Sequence, residues 1–232
     1  MRAPTINIQH KEVEVATCDN PGAIAWNYTR SEIIADLGVH VTGVCLGIAA
    51  AVVLLAVAAT RAATMDFVAA SLYALGLLSM LTVSAAYNLW PVCPTKWRLR
   101  RFDHSAIYVL IACTYTPFAL DMKAGAIAIL LGVWCVAALG VALKLALPGR
   151  LDRLSIAVCI IMGWSGVILL NGRASPIPLE ALRFLVAGGA LLSVGVIFHV
   201  WRTLRFQNAI WHFFVLLGVT CHYAAVFKVV LS

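Results

Sequence analysis

Seven apolar stretches, each close to the length that crosses a bilayer, dominate this chain, and the joints between them are too short to fold alone. A spanning helix needs about 20 mainly apolar residues. The stretches cover about 33–59, 67–90, 105–120, 124–145, 154–170, 179–200 and 209–231. Pro91 and Pro94, Pro148 and Gly149, Asn171-Gly172, Pro176 and Pro178 mark breaks between them. The pattern predicts an all-α membrane protein, a seven-transmembrane-helix bundle over 33–232 behind a short polar tail at 1–32. Function must then lie within the bundle or at its two faces.

Composition agrees. The 232 residues are 62% apolar and 12% charged, against about 45–50% and about 25% in soluble domains. The first 32 residues have no apolar run of the kind a secretory signal carries, so they are expected to form a cytoplasmic tail. The net charge of +7 does not point to nucleic acid, because the basic residues sit in joints between spans and form no basic helix with interleaved aromatics. Twelve of the seventeen Lys and Arg fall in the tail and in the joints after spans two, four and six. That bias predicts a cytoplasmic N-terminus, an outer C-terminus and residence in a bacterial inner membrane. It is the reverse of a G-protein-coupled receptor. The seven cysteines are irregularly spaced and mostly single within apolar runs, which suits small packing residues.

Ionisable groups inside spans are costly and mark candidate sites. Here they gather toward one end. Asp36 and His40 open span one, Ser84 and Asn88 close span two, and Asp103, His104 and Ser105 open span three. His199 closes span six, and Asn208 and His212 open span seven. At a rise of 1.5 Å per residue these groups share a slab roughly 10 Å deep. Asp36/His40, Ser84/Asn88 and Asn208/His212 are i, i+4 pairs, so each pair shares a helix face and can aim at one point. His222, about 15 Å further along span seven, is expected to make a separate contact between helices.

Three segments carry a family resemblance: Ser84-Ala-Ala-Tyr-Asn88; Arg101-Phe-Asp103-His104-Ser-Ala-Ile-Tyr with Ala112-Cys-Thr-Tyr-Thr-Pro117-Phe118; and Asn208-Ala-Ile-Trp-His212-Phe-Phe-Val-Leu-Leu-Gly218. Over roughly residues 30–232 the chain resembles the hemolysin III family. This is the bacterial branch of the progestin and adipoQ receptor (PAQR) superfamily, more distantly related to alkaline ceramidases. The resemblance implies seven spans, a cytoplasmic N-terminus and a zinc ion near the cytoplasmic face. It further implies three His ligands, with a Ser and an Asp beside the metal-bound water. Ser84, Asp103 and His212 keep the family's residue types, whereas Asn88 and Asn208 stand at the other two ligand positions.

That departure matters chemically. Zinc is held by Cys, His or carboxylate, and a carboxamide oxygen suits harder cations. A zinc site rebuilt from His212 with His40, His104 or His199, together with Asp36 or Asp103, is the alternative. Three functions follow. A receptor-like or regulatory protein of membrane or lipid homeostasis would bind a lipid or small molecule in the bundle, among membrane lipids as partners. A metal-dependent hydrolase of a lipid amide, ceramidase-like, would use metal-activated water with Asp103 as base and Ser84 assisting the oxyanion. A transporter of protons or small solutes would use Asp36, His40, Asp103 and His212. Cytolysis, suggested by the family's name, finds no support in the residues.

Overall fold

The computed structural model describes residues 28–120, 126–147, 149–171 and 177–230. Residues 1–27, 121–125, 148, 172–176 and 231–232 lie outside them, and with them most of the expected tail and the breaks at Pro148, Gly172 and Pro176. The described residues form seven helices: α1 (Arg30–Arg61), α2 (Thr64–Leu89), α3 (Pro94–Leu120), α4 (Ala126–Ala146), α5 (Asp152–Asn171), α6 (Leu179–Val200) and α7 (Gln207–Val230). Five of them, α1, α2, α4, α6 and α7, are long and apolar enough to cross a membrane. Large side chains such as Val52, Leu75, Ile127 and Ile161 point outward and are more than half exposed. In water that surface would be untenable; in hydrocarbon it is the ordinary exterior of an integral membrane protein.

The helices form a ring in the order α1, α2, α3, α5, α6, α7, closed by α7 against α1. α3 also reaches α7, and α4 packs on the outside of α3. α3 is the most enclosed helix, with Ala112 to Ala119 buried without a break. It starts at Pro94, well ahead of the apolar run that begins at Ser105. Proline suits a first helical turn because its missing N–H would be unpaired there. Lys96 then donates to the carbonyls of Asn88 and Trp90, at 2.9 Å each, and satisfies two acceptors at the end of α2. Asp103 and His104 therefore sit inside α3 rather than at its opening.

α1 buries a stripe of Asp36, His40, Gly43, Gly47, Ala51, Leu54 and Ala58. Every step is three or four residues, which is one face of a helix. Small residues let α1 approach its neighbours closely, as membrane helix contacts require when no hydrophobic force drives them. The two ionisable residues continue that inward face. At the start of α1, Thr29 and Glu32 form a capping box. Glu32 Oε1 also accepts from the backbone N–H of Phe206 at 3.0 Å, tying this first turn to the bend before α7. Phe206 there has φ 59°, left-handed backbone that a non-glycine residue holds at some cost. Elsewhere, a Cβ on Gly188 would collide with His222 and with the backbone of Gly218, so only glycine lets α6 and α7 lie this close.

Candidate functional site

α1, α2 and α7 each present a polar i, i+4 pair to one point. Asp36 and His40 are 5% and 7% exposed; Asp36 finds its partners inside the protein, and His40 Nε2 has none among the described residues. His212 Nδ1 donates to Asp36 Oδ1 at 2.6 Å, a direction fixed because an ionised carboxylate only accepts. Asn208 Nδ2 donates to Asp36 Oδ2 at 2.8 Å and to Asn88 Oδ1 at 3.1 Å. Asn88 Nδ2 donates to the Ser84 carbonyl at 2.9 Å and faces His212 Nε2 at 3.5 Å. The Ser84 hydroxyl in turn faces the buried Asp103 carboxyl of α3. His40 stacks on His212 with ring centroids 4.4 Å apart. Its Nε2 is 3.7 Å from Asp36 Oδ2, beyond hydrogen-bond reach.

Of the candidate residues, Asp36, His40, Ser84, Asn88, Asp103, Asn208 and His212 thus converge. His104 and His199 do not join them. His104 points toward Asp152, with Nδ1 3.8 Å from Oδ1. Neighbouring residues on a helix project about 100° apart, so Asp103 and His104 cannot face one point. His199 packs on Trp211 at 4.8 Å between centroids, and α6 touches neither α1 nor α2 closely. His222 is lodged against Gly188 at the far end of α7.

As donors, the convergent groups include a set of three classical metal-binding side chains. Asp36, His40 and His212 each offer a ligand atom, and these atoms lie within 4.8 Å of one another. At the positions where the family resemblance places ligands there is one imidazole and two carboxamides.

A second polar cluster was hidden among apparent loop charges. Arg100 of α3 donates to Asp152 Oδ2 and Lys144 of α4 to Asp152 Oδ1, both at 2.6 Å. The two cations are 5% and 4% exposed. Asp152 precedes the apolar run of α5. Burial disfavours its charged form, but Lys144 and Arg100 outweigh that and hold its carboxyl down at about 2. No sequence signal marked this triad, because its members lie on three helices. Between the two clusters a cavity of about 450 Å³ opens. Ser84, Asn88, Asp103, Arg100 and His212 line its polar end, and Ile111, Phe118, Leu185 and Val219 line its depth.

The family model described as Haemolysin-III related matches residues 34–223. The chain belongs to that family. This haemolysin-III related protein is 37% identical over 193 residues to the hemolysin-3 homolog of Bacillus subtilis (strain 168), covering 82% of this chain and 91% of the relative. It is 33% identical to hemolysin-3 of Bacillus cereus, covering 81% and 86%. The human monocyte to macrophage differentiation factor is 26% identical over 171 residues, covering 69% and 70%. The matched region spans both polar clusters and the cavity between them.

Proposed function

We propose that this family member is a receptor-like regulatory protein of membrane or lipid homeostasis in the bacterial inner membrane, which takes an amphiphile into its cavity. Seven spans with a cytoplasmic N-terminus would put the polar end of the cavity at the cytoplasmic face. The observation that carries this reading is the shape of the cavity: one space, polar at one end and apolar in depth. About 450 Å³ falls in the range of small-molecule pockets. A headgroup at Asp103, Arg100 and His212 with an acyl chain along Phe118, Leu185 and Val219 satisfies both ends.

The test is organic extraction of protein purified in mild detergent, followed by mass analysis and by thermal-shift titration with single-chain lipids. A bound amphiphile, and a Tm that rises with the matching lipid, support the reading. Absence of bound lipid together with no shift for any chain length or headgroup sinks it.

The pairing of Ser84 with Asp103 beside His212 favours a second reading, a lipid amide hydrolase. Cleavage of a ceramide-type substrate that is lost in Asp103→Asn supports it. No cleavage by folded, lipid-loaded protein removes it.

A further inference from the structure

The hydrogens of Asn88, Asn208 and His212 have their own accounting, and it closes without an ion, whereas the buried Nε2 of His40 beside them has no hydrogen-bond partner among the described residues. We propose that Asp36, Asn88 and Asn208 lock His212 into a metal-independent hydrogen-bond network that stands where the family resemblance places zinc. The inference goes beyond the amphiphile reading, and it holds whether or not the cavity takes a lipid.

Asn208 has two amide hydrogens, and they go to Asp36 Oδ2 and Asn88 Oδ1. Asn88 has two, and they go to the Ser84 carbonyl and toward His212 Nε2. His212 donates from Nδ1 to Asp36 Oδ1, and in the tautomer that this contact selects Nε2 is an acceptor. Every donor of the three side chains has an acceptor facing it.

A cation would need both amide oxygens and the Nε2 lone pair turned to one point. Amide orientation is set by partners, and the partners oppose it. Turning Asn208 over places its oxygen against the Asp36 carboxylate. Turning Asn88 over places its oxygen against the Ser84 carbonyl and the His212 lone pair. Either flip sets acceptor against acceptor in a partly buried place, where an unmet polar group still costs free energy.

Within the group Asp36, His40 and His212, Asp36 Oδ1 and His212 Nδ1 are not placed as two ligands of one ion, which leaves Asp36 Oδ2 and His40 Nε2, 3.7 Å apart, as its remaining pair. Zinc ligands about 2.0–2.1 Å from the metal in a tetrahedron lie about 3.3 Å from one another. Asp36 Oδ1 and His212 Nδ1 are 2.6 Å apart, so they share a proton rather than an ion. Carboxylates that accept from a histidine in this way orient the ring. Here the oriented Nε2 meets an N–H of Asn88.

The experiment uses the full chain purified without chelator. Transition metals are counted by plasma mass spectrometry, and Tm is followed with EDTA and with added zinc. The expected result is substoichiometric metal and a Tm that neither chelator nor zinc moves. The Asn88→His/Asn208→His double variant, with three imidazoles at the point of convergence, is expected to take up one zinc and to gain Tm from it. If the double variant does not fold, Asn208→Ala assayed in EDTA serves: a Tm below wild type in the same buffer supports a lock that works without metal, and an unchanged Tm overturns it. A stoichiometric ion in the wild type, or a Tm lowered by EDTA, overturns the proposal. A folded double variant that takes no zinc overturns the role given to the two amides.

Discussion

Asp36 Oδ1 on α1 and His212 Nδ1 on α7 lie 2.6 Å apart and join positions separated by 176 residues. The contact closes the helical ring at its polar end. It also sets the histidine's tautomer, because a carboxylate can only accept, and so decides which nitrogen faces the cavity.

Asp36→Ala leaves the Nδ1–H of His212 and one amide hydrogen of Asn208 without acceptors in a partly buried place. The expected loss is about 2 kcal/mol, toward the low end of about 1–3 kcal/mol for each unmet donor. Thermal unfolding in detergent checks it. If Asp36→Ala and His212→Ala each cost this much, the double variant should cost less than their sum, because the two act through one contact.

Asp152→Asn removes the charge that balances Arg100 and Lys144. Breaking a fully buried pair costs about 3–5 kcal/mol, and Asp152 is partly solvated, so a loss on the order of 2 kcal/mol is expected. The pH dependence has a definite sign. A carboxyl held down at about 2 contributes stability that is present above the ordinary carboxylate range and is lost as pH falls toward that value. Acid melting curves of wild type should steepen there, and those of Asp152→Asn should be flatter.

Gly163 lines the cavity, and a Cβ built on it meets nothing within 4 Å. Gly163→Phe adds a ring at the cavity wall from a position whose Cβ meets no neighbour. Lipid binding is expected to fall at least tenfold, which is about 1.4 kcal/mol, while the melting temperature stays near wild type. Undiminished binding by the folded variant would place the amphiphile elsewhere.

Cys93 lies just before Pro94, outside the spans. Hydrogen bonding from the backbone N–H of Lys96 lowers its pKa below the ordinary thiol value. In a Cys18→Ser background, a charged maleimide should label Cys93 in inside-out vesicles and not in intact cells. Its labelling rate should rise at a lower pH than that of an ordinary cysteine. Labelling from outside would reverse the proposed orientation.

Much of this site was legible because helical periodicity is local. The i, i+4 pairs Asp36/His40, Ser84/Asn88 and Asn208/His212 face inward together as their spacing predicts. What was not legible depends on which helices touch. His104 and His199 lie at the right depth but on the wrong faces, and spacing within one helix does not say which neighbour each face meets. The start of α3 was hidden for a different reason. Hydropathy counts Lys96 and Arg100 as loop, whereas in the fold Lys96 meets carbonyls of the preceding helix end and Arg100 meets a carboxylate. Whether two asparagines act as ligands or as hydrogen donors is likewise set by partners such as Asp36, which lies far away in sequence.

The hydrogen-bond partners of Asp36 described above all come from α7. α1 is made first and α7 last, so during synthesis this carboxylate must wait for the final helix. A chain cut short before Gln207 would leave that carboxylate without the two donors that meet it at 2.6 and 2.8 Å. The first helix is thus completed by the last: the donors that satisfy its carboxylate, Asn208 and His212, enter only with α7.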